Sequence, residues 1–252
     1  MIRITKLAKL PLEYSKGTDF EKIELAKKLN AELFEKISKK FRSDEISFDT
    51  FKKAVKETLP GKSSVKIMKT EERGVYGYTS FDSKHNVNIT GFMIHLPESK
   101  NGKISLDTVG TFMHETFHYF SQMAAPKETR RIAKALETGY KNKFDMVYDM
   151  FLYTDFNFGM TNLSKTLDNF LSSLNTEQKI DFLQYCRYNL RNEANAFSEG
   201  EKYARLSRDL FKDKDSIRIF DSTAYNFDIK IKLLNEKLKQ VMKENRNKIF
   251  ID

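Results

Sequence analysis

Apolar residues recur at two spacings along this chain, and the change from one to the other organises it. Ile23, Ala26, Leu29, Leu33, Ile37 and Phe41 fall at steps of three and four, the spacing that lines one face of an α-helix. Thr18 and Glu21 stand three apart at the head of that stripe, as a capping box that opens the helix. A second, shorter helix is expected over 47–59, ended by Pro60 and Gly61. Beyond Gly61 the period shortens. Val65 and Ile67 alternate with polar residues, Gly74 to Tyr78 is rich in strand formers, and Phe92, Ile94 and Leu96 alternate up to Pro97. Val87 and Ile89 take the opposite parity, so a one-residue slip at Gly91, as in a β-bulge, joins the two runs. Three strands are predicted here.

From residue 105 onward the helical period returns. One helix runs to Ala125 and stops at Pro126; another carries Phe144, Val147, Tyr148 and Phe151; a third covers 163–174. Asn175 and Thr176 are placed to cap a long helix over 177–211. The last helix bears Ile231, Leu234, Leu238 and Val241 at alternating steps of three and four. That stripe packs on its own domain or, as the lesser alternative, on a partner helix. Helices, a small sheet and then helices define an α+β chain. No repeat or linker divides it. It reads as a single domain over 1–252, with the sheet and the helix after it at about 62–125 and a helical half at about 127–252.

Composition supports a folded chain and removes several functions. Of 252 residues 40% are hydrophobic, with 21 Phe and 11 Tyr, too many aromatics for a disordered segment. The net charge is +9, but Lys alternates with Glu and Asp, and pairs such as Lys27-Lys28 and Lys39-Lys40 read as solvated helix faces. No nucleic-acid motif accompanies the charge, so nucleic acid is not the expected partner. The single cysteine, Cys186, excludes an internal disulfide, and its apolar setting suits a core thiol better than a nucleophile. Residues 1–12 hold Arg3, Lys6 and Lys9 without an apolar run, a poor signal peptide, and no segment is long enough to span a bilayer. A cytoplasmic protein is expected.

The chemistry concentrates in His114-Glu115-Thr116-Phe117-His118, an H-E-x-x-H motif that holds two of the chain's four histidines. On a helix, residues four apart stand one turn above each other, so both imidazoles can bind one ion. Glu115 is rotated by about 100° from His114, off the ligand set but within reach of a water on the ion. Val109, Phe112, Met113, Phe117 and Phe120 supply apolar packing around this helix. The bland alternative is a helix with two surface histidines and an acid between them.

Two histidines leave a catalytic zinc one protein ligand short of its usual three. A third histidine six residues beyond the second is excluded, because Ser121 and Ala124 occupy the positions that would need Gly and His. A carboxylate from a second helix remains, and Glu193 is the first candidate. It shares a helical face with Leu183, Cys186, Leu190, Ala194 and Phe197, and an inward carboxylate needs a partner. The partner is a metal or, as the alternative, Arg130 or Arg187. Glu199 and Glu201 are the next candidates, off that face but close in sequence.

The HETFH helix, the strands before it and the later Asn192-Glu193-Ala194-Asn195-Ala196-Phe197 helix together resemble the gluzincin group of zinc metallopeptidases, over roughly 65–197. The resemblance implies a zincin-like architecture and hydrolysis of peptide bonds. It implies zinc held by His114, His118 and Glu193, with Glu115 as general base. It further implies that the strand at 92–96 is a sheet edge that pairs with an extended peptide substrate. The chain departs from the thermolysin pattern four residues after the third ligand, where Phe197 replaces the aspartate that holds a histidine. The transition-state donor has two candidates, Tyr185 and His95, each of which has an ordinary packing or surface role as its alternative. A second function remains in view: a structural or binding component with little or no catalysis. The use of Lys, Asn, Ile and Phe without Trp resembles proteins of AT-rich bacterial or phage genomes, so a virion is one setting for it.

Overall fold

The computed structural model describes residues 19–39, 47–58, 66–69, 78–81, 92–96, 104–123, 160–208 and 226–249. Thr18, Phe41, Gly91, Arg130 and the helix expected around Phe144, Val147, Tyr148 and Phe151 lie outside them.

Helix α1 (Asp19–Ser38) turns Ile23, Ala26, Leu33 and Ile37 into the core, with Leu29 at the margin of the same stripe. Helix α2 (Phe48–Thr58) starts where Ser47 Oγ accepts the Thr50 amide at 3.1 Å, and buries Phe48, Phe51, Ala54 and Val55. Helix α3 (Leu106–Met123) opens on a reciprocal cap. The Thr108 amide donates to Ser105 Oγ and the Ser105 amide donates to Thr108 Oγ1, each at 3.2 Å. Helix α4 (Met160–Ser172) ends at Ser173 and Leu174, and Asn175 starts α5 (Thr176–Leu206) at once. There Asn175 Oδ1 accepts from the Gln178 amide at 2.9 Å while Gln178 Oε1 accepts from the Asn175 amide at 3.0 Å. Helix α6 (Phe227–Ile249) completes the set.

The expected α+β class is corrected. Of the residues described with their side chains, 92% are helical, in six helices, and none is in a strand. Among the described residues strands are confined to three short segments: β1 (Lys66–Lys69), β2 (Tyr78–Phe81) and β3 (Phe92–Leu96). Alternation over four or five residues marks locally extended backbone, but it does not decide which faces build the core. Among the described residues, every member of the largest apolar cluster except Ile104 lies on a helix.

A second expectation falls with the order of these segments, which is β1-β3-β2. β3 runs parallel to β1, with Ile67 opposite Ile94, and antiparallel to β2, with Thr79 opposite Ile94. Both hydrogen-bonding sides of β3 are therefore taken within the chain, and it is not the free edge on which a substrate strand could be added. Strand order depends on non-local pairing, which alternation in one segment does not reveal.

Two compact units emerge, Met1–Ala125 with Asn195–Asp221, and Pro126–Ala194 with Ser222–Asp252. The first break falls at Pro126, where the helix-stopping residue stood in the sequence. In the first unit α1 packs on α3 and α2, and Phe51 meets Phe112 edge to face at 5.3 Å. In the second, Phe170 of α4 packs on Phe182 of α5 at 4.7 Å, and Lys237 of α6 pairs with Asp168 of α4 at 2.6 Å. Leu234, Leu238 and Val241 are buried there and Ile231 is half-buried. These residues of the stripe are covered by its own chain. No helix among the described residues is long and apolar enough to cross a membrane.

Candidate metal centre

The site begins with the burial of α3. Val109, Phe112, Met113, Phe117 and Phe120 are all buried, as their spacing required. This packing fixes the helix and leaves His114 and His118 side by side on one flank. Their Nε2 atoms are 3.0 Å apart and their rings meet at 77°. Two nitrogens on one tetrahedral zinc stand about 3.3–3.4 Å apart, given bonds of about 2.0–2.1 Å. The pair is thus within a few tenths of an ångström of the spacing that an ion imposes.

Glu193 joins them. His114, His118 and Glu193 each offer a ligand atom, and these atoms lie within 4.8 Å of one another. Among the described residues this is the group of three or more His, Cys, Asp or Glu side chains suited to an ion. Two nitrogens and a carboxylate oxygen are a donor set that suits zinc. Glu193 sits on α5 two residues before Asn195, and α5 runs unbroken past that point. Phe197, one turn further along α5, places its ring 4.8 Å from His114 at 85°. The thermolysin pattern has a carboxylate at this position, and this chain has an apolar wall that restrains the imidazole by packing.

Glu115 is 5% exposed and stands outside the ligand group, the off-set position that its phase required. His114 is 9% exposed, whereas His118 and Glu193 are half-buried. The other carboxylates separate by environment. Glu201 pairs with Arg205 at 2.7 Å on the surface. Glu199, which helical phase set aside, is the more deeply buried of the candidates at 3% exposed. It accepts from Asn30 Nδ2 at 3.2 Å and faces Lys202 Nζ at 3.4 Å, outside the ligand group. The buried face of α5 is displaced from the Leu183-to-Phe197 stripe: Asn192, Ala196, Glu199 and Tyr203 are buried, whereas Glu193, Ala194 and Phe197 are half-buried.

Neither transition-state candidate is part of the ligand group. Tyr185 is half-buried on α5, eight residues before Glu193, or about 12 Å along the axis. His95 pairs through its backbone with Met68 and Tyr78, and its side chain lies outside what the structure describes. Arg187, the alternative partner for Glu193, donates to Asn235 Oδ1 at 3.4 Å.

Two residues escaped the sequence reading. Asn30 interrupts the apolar stripe of α1 between Ala26 and Leu33, and is fully buried at 0% exposed. A polar residue in register with a core stripe was the available signal. Tyr203 is buried against Phe34 at 4.5 Å, and its phenol pKa is raised, first by burial and then by the charge and hydrogen bond of Glu199. Cys186 is buried as expected, and burial pushes its thiol pKa up. Comparison with family models, with curated proteins and with solved structures returns no match for this chain.

Proposed function

We propose that this chain is a zinc metallopeptidase whose gluzincin-type ligand set is His114, His118 and Glu193. The observation that supports this most is the convergence of the two Nε2 atoms at 3.0 Å with the Glu193 carboxylate beside them. A bound zinc would supply Lewis acidity, polarising a carbonyl and acidifying a water.

The remaining work belongs to the chain. Glu115 is the proton carrier: its carboxylate takes a proton from the attacking water and returns it to the leaving amine. Its burial at 5% exposed limits competing solvent and holds the carboxylate on the side of α3 next to His114. Phe197 keeps the His114 ring upright, and the half-buried side at His118 and Glu193 admits the peptide. The protein would act in the cytoplasm, or in a virion if it is phage-encoded.

A second reading, an ion held for structure without turnover, is favoured by the burial of His114 and Glu115. Metal analysis of the purified full chain tests the shared part of both readings. About one zinc per chain is expected, with most of it lost in His114→Ala and His118→Ala. Unchanged occupancy in those variants would sink the ligand assignment. Cleavage of unstructured proteins or peptide libraries by the zinc-loaded chain separates the two readings.

A further inference from the structure

The metal centre leaves Asn30 without a role, yet its carboxamide is placed where three helices meet. Asn30 Nδ2 donates to the Met113 carbonyl at 3.0 Å and to Glu199 Oε2 at 3.2 Å, and Asn30 Oδ1 accepts from Thr116 Oγ1 at 2.6 Å. Both N–H groups and the carbonyl are therefore engaged, and the three buried partners come from α3 and α5. Met113 precedes His114, and Thr116 lies midway between the two histidines in sequence. Glu199 is six residues beyond Glu193 on the same helix.

These contacts occupy the flank of α3 roughly 150° around from the imidazoles. Asn30 therefore acts on the ligands only through the helices that carry them. Apolar packing tolerates small axial slides, whereas three directed bonds to two helices fix both rotation and height. A ligand set needs such fixing, because a binding constellation has to be held to within about half an ångström of its productive geometry. An apolar residue at position 30 would fill the space but would not set this register.

We propose that Asn30 is the positioning residue of the metal centre: bonded to Met113, Thr116 and Glu199, it sets the spacing at which the histidines of α3 meet Glu193 of α5. The inference rests on the zinc reading above and extends it to a residue that touches no ligand.

A donor–acceptor exchange tests it. In Asn30→Asp the donors to the Met113 carbonyl and to Glu199 are both lost, and two carboxylates face each other. Adding Glu199→Gln reverses the bond, since the amide introduced on α5 then donates to the carboxylate introduced on α1, with the total charge restored. Zinc dissociation constants are measured on the full chain by competition with a chromogenic chelator, alongside the unfolding midpoint of the metal-free protein. Asn30→Asp is expected to bind zinc about tenfold more weakly or worse, and the double variant, which restores the bond to α5 but not the one to Met113, to recover about threefold or more of that loss. Glu199→Gln alone keeps an acceptor for Asn30 and should stay within about threefold of wild type. Zinc binding by Asn30→Asp equal to wild type, with only the metal-free midpoint lowered, would overturn the inference and leave the zinc reading intact. A double variant no better than Asn30→Asp would also overturn it. If Asn30→Asp does not fold, Thr116→Val, which removes one of the three bonds with little change of shape, carries the test with an expected loss of about threefold or more. Unchanged affinity there would again refute the proposal. A wild-type chain that takes up no zinc would overturn the metal reading and this inference together.

Discussion

Replacing Glu115 by glutamine separates proton transfer from everything else that the motif does. The side chain is 5% exposed and outside the ligand group, and the amide is nearly the same size as the carboxylate. Packing of α3 and the spacing of His114 and His118 should therefore survive, and zinc content with them. What disappears is the ability to accept a proton at neutral pH. General acid–base groups contribute about 100-fold to 10,000-fold, equivalent to about 2.7–5.4 kcal/mol of barrier at about 1.36 kcal/mol per decade. Burial argues for the upper part of that range, because little solvent is available to replace the base. The assay is the initial rate of cleavage of an unstructured protein or fluorogenic peptide by matched zinc-loaded samples. Metal content and thermal unfolding are recorded on the same preparations. The reasoning is refuted if wild type cleaves the peptide and zinc-loaded Glu115→Gln cleaves it equally fast. A variant that loses its zinc would refute the separate claim that Glu115 is no ligand.

Glu193→Gln should weaken zinc binding measurably while Glu201→Gln, which disturbs only the surface pair with Arg205, leaves it unchanged; equal affinity of the two variants would remove Glu193 from the ligand set. Phe112→Ala deletes a ring that is buried and set edge to face against Phe51 at 5.3 Å, so urea unfolding should show a loss of about 3–5 kcal/mol. A loss below about 1 kcal/mol would contradict that packing. Stability should also fall at alkaline pH. Burial raises the Cys186 thiol above its ordinary 9.0, so above that pH the unfolded chain gives up a proton that the folded chain keeps. The unfolded state then binds fewer protons, and stability declines by about 1.4 kcal/mol per pH unit from this group. Tyr203 adds a decline of the same sign above its ordinary 10.0. Cys186→Ala should flatten the part of the profile that starts near pH 9; an unchanged slope would deny that the thiol is buried.

Local features of this molecule were legible in the chain, and non-local ones were not. The i, i+3, i+4 stripes found the helices, and Ser105 and Asn175 marked two of their starts because a cap is made with residues three positions away. The H-E-x-x-H spacing placed two imidazoles on one flank for the same reason. Glu193, singled out by phase along one helix, is half-buried and lies in one group with the two histidines. The fold class was misjudged because short alternating runs between 65 and 96 were given the weight of a layer, whereas the described core is made of helix faces. The position of β3 between β1 and β2 depends on pairing order, which no single run encodes. The bonds of Asn30 to Met113 and Glu199 span 83 and 169 residues. A buried amide announces that it needs partners, but only the folded chain names them. Glu199 was set aside for the same reason: phase along α5 was known, but which face is buried depended on what surrounds it.

The wrapping of α3 has a kinetic consequence. Among its described side chains His118 alone is not buried, and the hydroxyls of Thr116 and Ser121 bond within the protein, Thr116 to Asn30 Oδ1 at 2.6 Å and Ser121 to the His118 carbonyl at 3.0 Å. A helix whose described side chains are nearly all buried gains little from forming alone, and it frays only when its neighbours leave. Its amides should therefore be among the last to exchange with deuterated solvent, opening with the unit that surrounds them and not by local melting. An ion held there would have two ways out: a slow one, shared with unfolding, and a fast one through rotation of a single ring. His118 would then act as the latch, and the residence time of the metal would report how often one imidazole swings.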